Sequence, residues 1–390
     1  MNLSAQRADL LVIGGGVLGT FHAYHAIQKG LRVIHLERHH APIGATVRNF
    51  GQIVPSGMNT FWQQLGRESL RIYKKLQTEV DLTVREQGSI YLASNAEELG
   101  LLEELAQINK GNAYLSKMLT KEQCHARFPS LNESYCVGGL FFPEEISVNP
   151  RVMIHRLHQH LQEHPLYLGY FGEEVNELEV QADGTVLATT TKNGAYTAQK
   201  SIVCGGTEIR TLFPQTFLSS DLEIVQLQMM RIAADRKVSL PGNVLTGLTI
   251  RRYESFQDCP SWGETIDNWT PDPFQKEFGI HILFKQESDG SILLGDSHQY
   301  AKSGDEGILP FTNRSDINRF FIEEGKQIFN LPNWTVTETW LGRYSQTSDP
   351  SGVLTETIDD QIHLITGIGG KGMTAGPGFA KAQIKEIFND

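Results

Sequence analysis

Gly14, Gly16 and Gly19, followed by an acidic residue at Glu37, are the residues whose types and spacing point most directly to chemistry. In Gly14-x-Gly16-x-x-Gly19 the first glycine permits a tight turn, the second lets backbone approach a pyrophosphate, and the third lets a helix lie close on a strand. A helix opening there, with Val17 and Leu18 in its first turn, aims unpaired N–H groups at the phosphates. Glu37 is placed to accept hydrogen bonds from a ribose, and it opposes a 2′-phosphorylated dinucleotide because two negative groups would meet. Arg38 complicates that exclusion without reversing it. A dinucleotide site is predicted, and the pattern alone leaves NAD and FAD open.

Other chemistry-bearing residues read more plainly. In His155-Arg-Leu-His-Gln-His-Leu-Gln-Glu-His164, His160 and His164 stand one helical turn apart. Leu157 and Leu161 mark the buried face, no acidic ligand accompanies them, and exposed helix histidines explain the run, so no metal is predicted. Cys124, Cys136, Cys204 and Cys259 form no CxxC pair and no zinc spacing. Free thiols in a reducing compartment follow, with Cys204 a small packing residue beside Gly205-Gly206.

The elements that must position the glycine turn are legible around it. Leu10-Leu-Val-Ile13, a helix ending near Gly30 and Val33-Ile-His-Leu36 make a βαβ unit with parallel strands and a right-handed crossover. Phe61, Leu65, Ile72 and Leu76 have the spacing of one buried helix face over residues 61–80. Asn149 caps a second helix with Pro150 in its first turn and Met153, Leu157 and Leu161 inward. Thr185–Thr191 and Lys200–Cys204 read as strands, and from about residue 222 to 334 apolar segments such as Gly279–Phe284 and Ser291–Leu294 alternate with turns, the pattern of an antiparallel sheet. A strand at Ile362–Thr366, a glycine-rich turn to Gly372 and a terminal helix end the chain.

With 390 residues the chain is long enough for two domains. Its 45 acidic against 34 basic side chains, net -11, oppose nucleic acid and anionic membranes as partners. No apolar run reaches the ~18 residues of a membrane span. No secretory leader is legible after Met1, and a cytoplasmic location is expected.

Gly44-Ala-Thr-Val-Arg-Asn-Phe-Gly-Gln-Ile53, Gly138-Gly-Leu-Phe-Phe-Pro143, Val148-Asn-Pro150, Val203-Cys-Gly-Gly206 and Gly367-Ile-Gly-Gly-Lys-Gly-Met-Thr374 follow the βαβ unit in order. Together they resemble the D-amino-acid oxidase, glycine oxidase and sarcosine oxidase superfamily over nearly the whole chain. The resemblance implies FAD. It implies a Rossmann-type FAD-binding domain, residues 1–85, 148–221 and 335–390, interleaved with an antiparallel-sheet substrate domain, residues 86–147 and 222–334. It also implies that Val175 contacts adenine, that Ala45, Thr46, Asn49, Phe50 and Gly51 line the flavin, and that Gly370, Lys371, Gly372, Met373 and Thr374 sit at its pyrimidine edge. N–H groups at a helix N-terminus there stabilise the charge of a reduced flavin, and Lys371 adds to that field.

Trp340-Leu-Gly-Arg-Tyr-Ser-Gln-Thr-Ser-Asp349 matches the segment where amino-acid-oxidising relatives present an arginine to the substrate carboxylate. Here Tyr344 takes the arginine's place and Arg343 is displaced by one. Monomeric sarcosine oxidase is similar in this segment but carries its flavin on a cysteine where Gly342 stands, so non-covalent FAD is expected. Its oxygen-activating lysine has no counterpart near Leu293, which leaves the electron acceptor, oxygen or another, open. Val47-Arg-Asn-Phe-Gly51 is similar to a bacterial subgroup proposed to act on aminophosphonates. A phosphonate favours a cluster of cationic and phenolic donors, for which Arg48, Arg252, Tyr253, His298, Tyr344 and Lys371 are the candidates.

The expected reaction is oxidation of the C–N bond of a small anionic amine, by hydride transfer from the carbon beside nitrogen to flavin N5, with hydrolysis of the imine to a carbonyl compound. The substrate is an aminophosphonate or an N-methylated or primary amino acid, bound as the free amine. His298, Tyr344 and Lys371 are the candidates for assisting side chains. Two other readings stand beside it: dehydrogenation of a 2-hydroxy acid or polyol phosphate, with His298 as base, and a flavin-binding protein without catalysis.

Overall fold

The computed structural model describes residues 6–233, 235 and 237–388. Two large sheets organise them. In the first, β1 (Gln6–Ile13) lies between β2 (Val33–Glu37) and the strand Ala195–Val203, parallel to both. Leu10, Leu11 and Val12 of β1 and every residue of β2 are buried, as expected of parallel strands covered on both faces. The crossover between them is α1 (Val17–Gln28). Tyr167–Phe171 extends this sheet beyond β2, and Ile362–Thr366 with Leu354–Ile358 extends it on the other side.

The glycine turn explains why α1 enters so close to β1. Gly14 has φ +106°, and a Cβ on it would stand 2.3 Å from the Cys204 carbonyl oxygen. A Cβ on Gly19 would stand 2.0 Å from the Gly14 oxygen. Both positions exclude side chains on steric grounds, the first in backbone conformation as well.

The second sheet has nine strands and carries the long strand Leu222–Ile232 beside Ile292–Gly295, Gln299–Lys302 and Val336–Thr347. Ser89–Ala93 and Gly138–Phe142 enter it from the first half of the chain. Its pairings are antiparallel except Asn243–Leu245 with Ser89–Ala93. Val336–Thr347, inside the segment 335–390 given to the FAD-binding domain, pairs with Leu222–Ile232 from Leu222↔Thr347 to Ile232↔Val336. The last segment is therefore shared: its strand belongs to the second sheet and its helix, Gly372–Ile387, to the first, packed on α1.

Three expectations need correction. The helix Thr60–Glu79 buries Trp62, Gly66, Ser69, Tyr73 and Leu76, while Phe61 is 60% exposed. Its inner face uses small residues where the terminal helix crosses closely, Ser69 Oγ accepting the Gly378 N–H at 2.9 Å, and a count of large apolar residues misses such a face. Gly279–Phe284 is not one strand: Gly279 has φ +52°, the N–H of Ile280 returns to Gln275, and the strand is Leu283–Gln286. The histidines of the helix Pro150–Gln162 are not all exposed either. His158 is buried with Nε2 2.8 Å from Thr20 Oγ1, tying that helix to α1.

Candidate active site

A cavity of about 790 Å³ runs from Glu37 and Arg38 past Gly14, Gly16, Val17 and Leu18 to Tyr253 and Tyr344, with Val175, Gly205 and Gly206 along its wall. At its outer end Glu37 receives the N–H of Gly15 at 2.7 Å and that of His39 at 2.9 Å. These bonds fix the carboxylate across the glycine turn and leave it lone pairs for further donors. Arg38 is paired with Glu208 at 2.6 Å, which turns its charge to a clamp between β2 and the Gly205-Gly206 turn. The N-terminus of α1 has no acidic residue in its first turn and no side-chain cap on Gly16. Only the Val17 N–H meets a hydroxyl, Thr46 Oγ1 at 2.9 Å. An uncapped helix end opening on a long cavity fits an anionic pyrophosphate.

The loop 44–53 forms the middle of the cavity, and its side chains hold it in shape. Asn49 donates to the carbonyls of Ala45 and Thr46, both at 2.9 Å, and accepts the Gly51 N–H at 2.7 Å. Gly51, at φ +69°, has no room for a Cβ beside the Val148 oxygen, 2.2 Å away. Arg48 is spent on the carbonyls of Ile43 and Leu341, at 2.7 and 2.8 Å. A Cβ on Gly342 would lie 3.1 Å from the Arg48 oxygen, so glycine there admits the loop. Phe50 is buried, and its carbonyl receives the ammonium of Lys285 at 2.8 Å.

Opposite this loop stands the turn before the terminal helix. Gly370, Lys371, Gly372, Met373 and Thr374 all line the cavity. Thr374 Oγ1 accepts the Val54 N–H at 3.3 Å, and the Met373 carbonyl accepts the Tyr73 hydroxyl at 3.0 Å. Lys371 is paired with Glu254 at 3.2 Å and lies over the Trp62 ring. The terminal helix, like α1, has no acid in its first turn.

The inner end gathers residues from four segments. Arg252 bonds Tyr300 Oη at 2.8 Å and has no carboxylate within 4 Å among the described residues. Burial works against its charge, but Tyr300, Tyr344 and Asp296 outweigh that and hold it firmly protonated. Tyr253 and Tyr344 are pushed above the ordinary phenol range, first by burial and then by Asp296, so both are O–H donors. Asp296, 6% exposed, has Oδ1 2.6 Å from His281 Nε2 and 3.9 Å from His298 Nδ1. Burial opposes its ionisation, yet His298, His281 and Arg252 keep it below the usual carboxylate range. His298 is pushed down to about 3 by burial and by Arg252.

Arg343 does not join this group. Its Nε donates to Gln226 at 2.7 Å and its guanidinium reaches toward the Leu309 and Pro310 carbonyls, whereas Tyr344, next along the strand, faces the other side. Of the phosphonate candidates, Arg252, Tyr253, His298 and Tyr344 come together; Arg48 and Lys371 have other partners. His281, Asp296 and Tyr300 escaped the sequence reading. Asp296 lies inside Gly295-Asp-Ser-His298, and its partner His281 is distant in sequence, so only the pairing of Leu283 with Gly295 brings them together.

Residues 9–384 match the family described as DAO: FAD dependent oxidoreductase. The chain belongs to this family. Mitochondrial dimethylglycine dehydrogenase of Homo sapiens is 24% identical over 330 residues, 80% of this chain and 36% of that protein. The Rattus norvegicus enzyme is 26% identical over 225 residues, 57% and 26% respectively. The chain thus spans 26 to 36% of the length of these curated relatives. Among solved structures, L-proline dehydrogenase from P. horikoshii superposes with TM-score 0.80 at 16% identity, covering 98% of this chain and 94% of that one. Glycine oxidase from Geobacillus kaustophilus gives TM-score 0.76 at 18% identity, covering 98% and 95%. These likenesses are of fold. As a DAO-family protein the chain is an FAD-dependent oxidoreductase, which decides between the two dinucleotides that the glycine turn leaves open.

Proposed function

We propose that this protein oxidises the C–N bond of a small amine that also carries an anionic group, giving an imine that water converts to a carbonyl compound. The observation that carries the reading is Arg252, a cation in the inner cavity with a single phenol for a partner. A half-buried guanidinium left so short of acceptors calls for an anion. Tyr253 and Tyr344 add neutral donors around it, and Asp296 offers the opposite charge a short way off, the complement of a zwitterion. An aminophosphonate suits this set of donors; an N-methylated or primary amino acid is the other candidate class.

FAD, held without a covalent bond, supplies the hydride acceptor. The residues that would hold it are Gly14 to Gly19, Glu37, Val175 and Gly205-Gly206 toward the nucleotide, and Ala45 to Gly51 with Gly370 to Thr374 toward the ring. The chain's own part is to orient the substrate by its anion, to exclude water around the reacting carbon, and to keep the nitrogen lone pair available. The electron acceptor that restores the cofactor is oxygen or another oxidant.

Anaerobic mixing of the holoenzyme with amino acids, N-methyl amino acids, aminophosphonates and 2-hydroxy acids tests this. Loss of the yellow flavin absorbance with one of the amines is expected. Bleaching by hydroxy acids alone would replace this reading with alcohol oxidation, and bleaching by none would leave a flavin carrier.

A further inference from the structure

Asp296, His281 and His298 form a buried cluster, one carboxylate between two imidazoles, at the inner end of the cavity, a part that hydride transfer itself does not require. His298 Nδ1 lies 3.2 Å from the Gly279 carbonyl. A carbonyl only accepts, so Nδ1 carries the hydrogen and Nε2 the lone pair. No described residue bonds that Nε2. Asp296 Oδ1 lies 2.6 Å from His281 Nε2 and 3.9 Å from His298 Nδ1, between the two imidazoles. Five other groups face the pair: Arg252 and Tyr253 from one segment, His281 from the turn before Leu283–Gln286, Tyr300 from the strand after His298, and Tyr344 from Val336–Thr347.

Resting on the amine-oxidation reading, we propose that the substrate enters as its ammonium form and is deprotonated inside the site, by His298 Nε2 with Asp296 as the charge partner. The N–H bond of the ammonium breaks, its electron pair stays on nitrogen, and the proton forms a new N–H bond on His298. The imidazolium then shares Asp296, while His281 positions that carboxylate from its other side. The site thus accepts the ammonium that prevails at neutral pH, and selection of the scarce free amine is unnecessary.

Arg252 couples this step to binding. In the free enzyme burial, and after it the charge of Arg252, hold His298 down at about 3. An anionic group docked on Arg252 offsets the arginine's share of that shift, and His298 gains basicity when substrate is in place. Arg252 also disfavours the other use of such a cluster, as ligands for a divalent cation, because a fixed positive charge stands beside it.

The test is the limiting rate of anaerobic flavin reduction against pH, in the wild-type holoenzyme and in His298→Gln and Asp296→Asn, with whichever of N-methylglycine and 2-aminoethylphosphonate reduces the wild type. Wild type should change less than threefold between pH 9 and pH 7. His298→Gln should match it near pH 10, close to the ordinary pKa of an aliphatic amine, and fall about tenfold per pH unit below. Asp296→Asn should fall in the same direction. Recovery at high pH separates a lost proton acceptor from a damaged site, and an unchanged visible spectrum verifies the bound flavin. Parallel profiles in all three proteins would overturn the proposal while leaving amine oxidation intact. One equivalent of divalent metal retained by the wild type after dialysis would overturn it too. Failure of both amines to reduce the wild type would instead count against the reading on which it rests.

Discussion

At the scale of single residues, two arginines that line the cavity differ in use. Arg252 has one phenolic partner, whereas Arg343 is held by Gln226 and two carbonyls. Arg252→Met removes charge-assisted hydrogen bonds of roughly 1.5–3 kcal/mol, so substrate Kd should rise about 10- to 150-fold with flavin retained. Arg343→Met should leave that Kd within about threefold, an interaction change under 1 kcal/mol. Anaerobic titration of flavin reduction measures both. The displacement of Arg343 by one position was visible in the sequence, because strand alternation follows from the backbone. Asp296 and His281 were not, since strand pairing and not spacing brings them together.

At the scale of elements, the βαβ unit could be read from the sequence because its constraints are local: a glycine at φ +106°, a helix whose first turn lacks acids, and an apolar strand on each side. The bracing of the loop 44–53 could not. Lys285, fully buried, reaches from Leu283–Gln286 to the carbonyls of Phe50 and Val148, at 2.8 and 2.5 Å, and to Glu287 at 2.9 Å. It therefore joins the second sheet to the loop 44–53 that lines the cavity. Burial pushes its ammonium down to about 8, with Glu287 opposing. Lys285→Met strands a buried carboxylate and two carbonyls, and should cost on the order of 3–5 kcal/mol in urea unfolding. Glu287 keeps Arg85 at 3.8 Å as a partial substitute, which places the expected loss toward the lower end.

At the scale of the whole molecule, two sheets built from alternating stretches of chain meet at one cavity, and the last strand and last helix belong to different sheets. The alternation of apolar and polar segments revealed the sheets, but the strand that crosses between segments could be assigned only from its pairing. A buried charge in the second sheet's neighbourhood gives the fold a pH dependence. Glu145 accepts from Ser56 N–H and Tyr114 Oη, its Oε2 is buried without a partner, and burial pushes it up to about 7. A carboxyl whose folded pKa is raised contributes stability below its ordinary value near 4.5 and loses it as pH rises through about 7. Glu145→Gln, neutral throughout, should gain Tm relative to wild type from pH 5 to pH 8, by an amount equivalent to roughly 3 kcal/mol. A constant difference across that range would show that Glu145 does not change protonation on unfolding.

No helix among the described residues is long and apolar enough to cross a membrane, and the cavity brings Arg252, Tyr253, Tyr344 and Asp296 to one end. The most direct measurement is an anaerobic single turnover of holoenzyme with excess amine, in which reduced flavin, carbonyl product and released amine or ammonia are counted together. One carbonyl and one released nitrogen are expected for each flavin reduced. Flavin reduced without carbonyl, or reduced only by a 2-hydroxy acid, would contradict this.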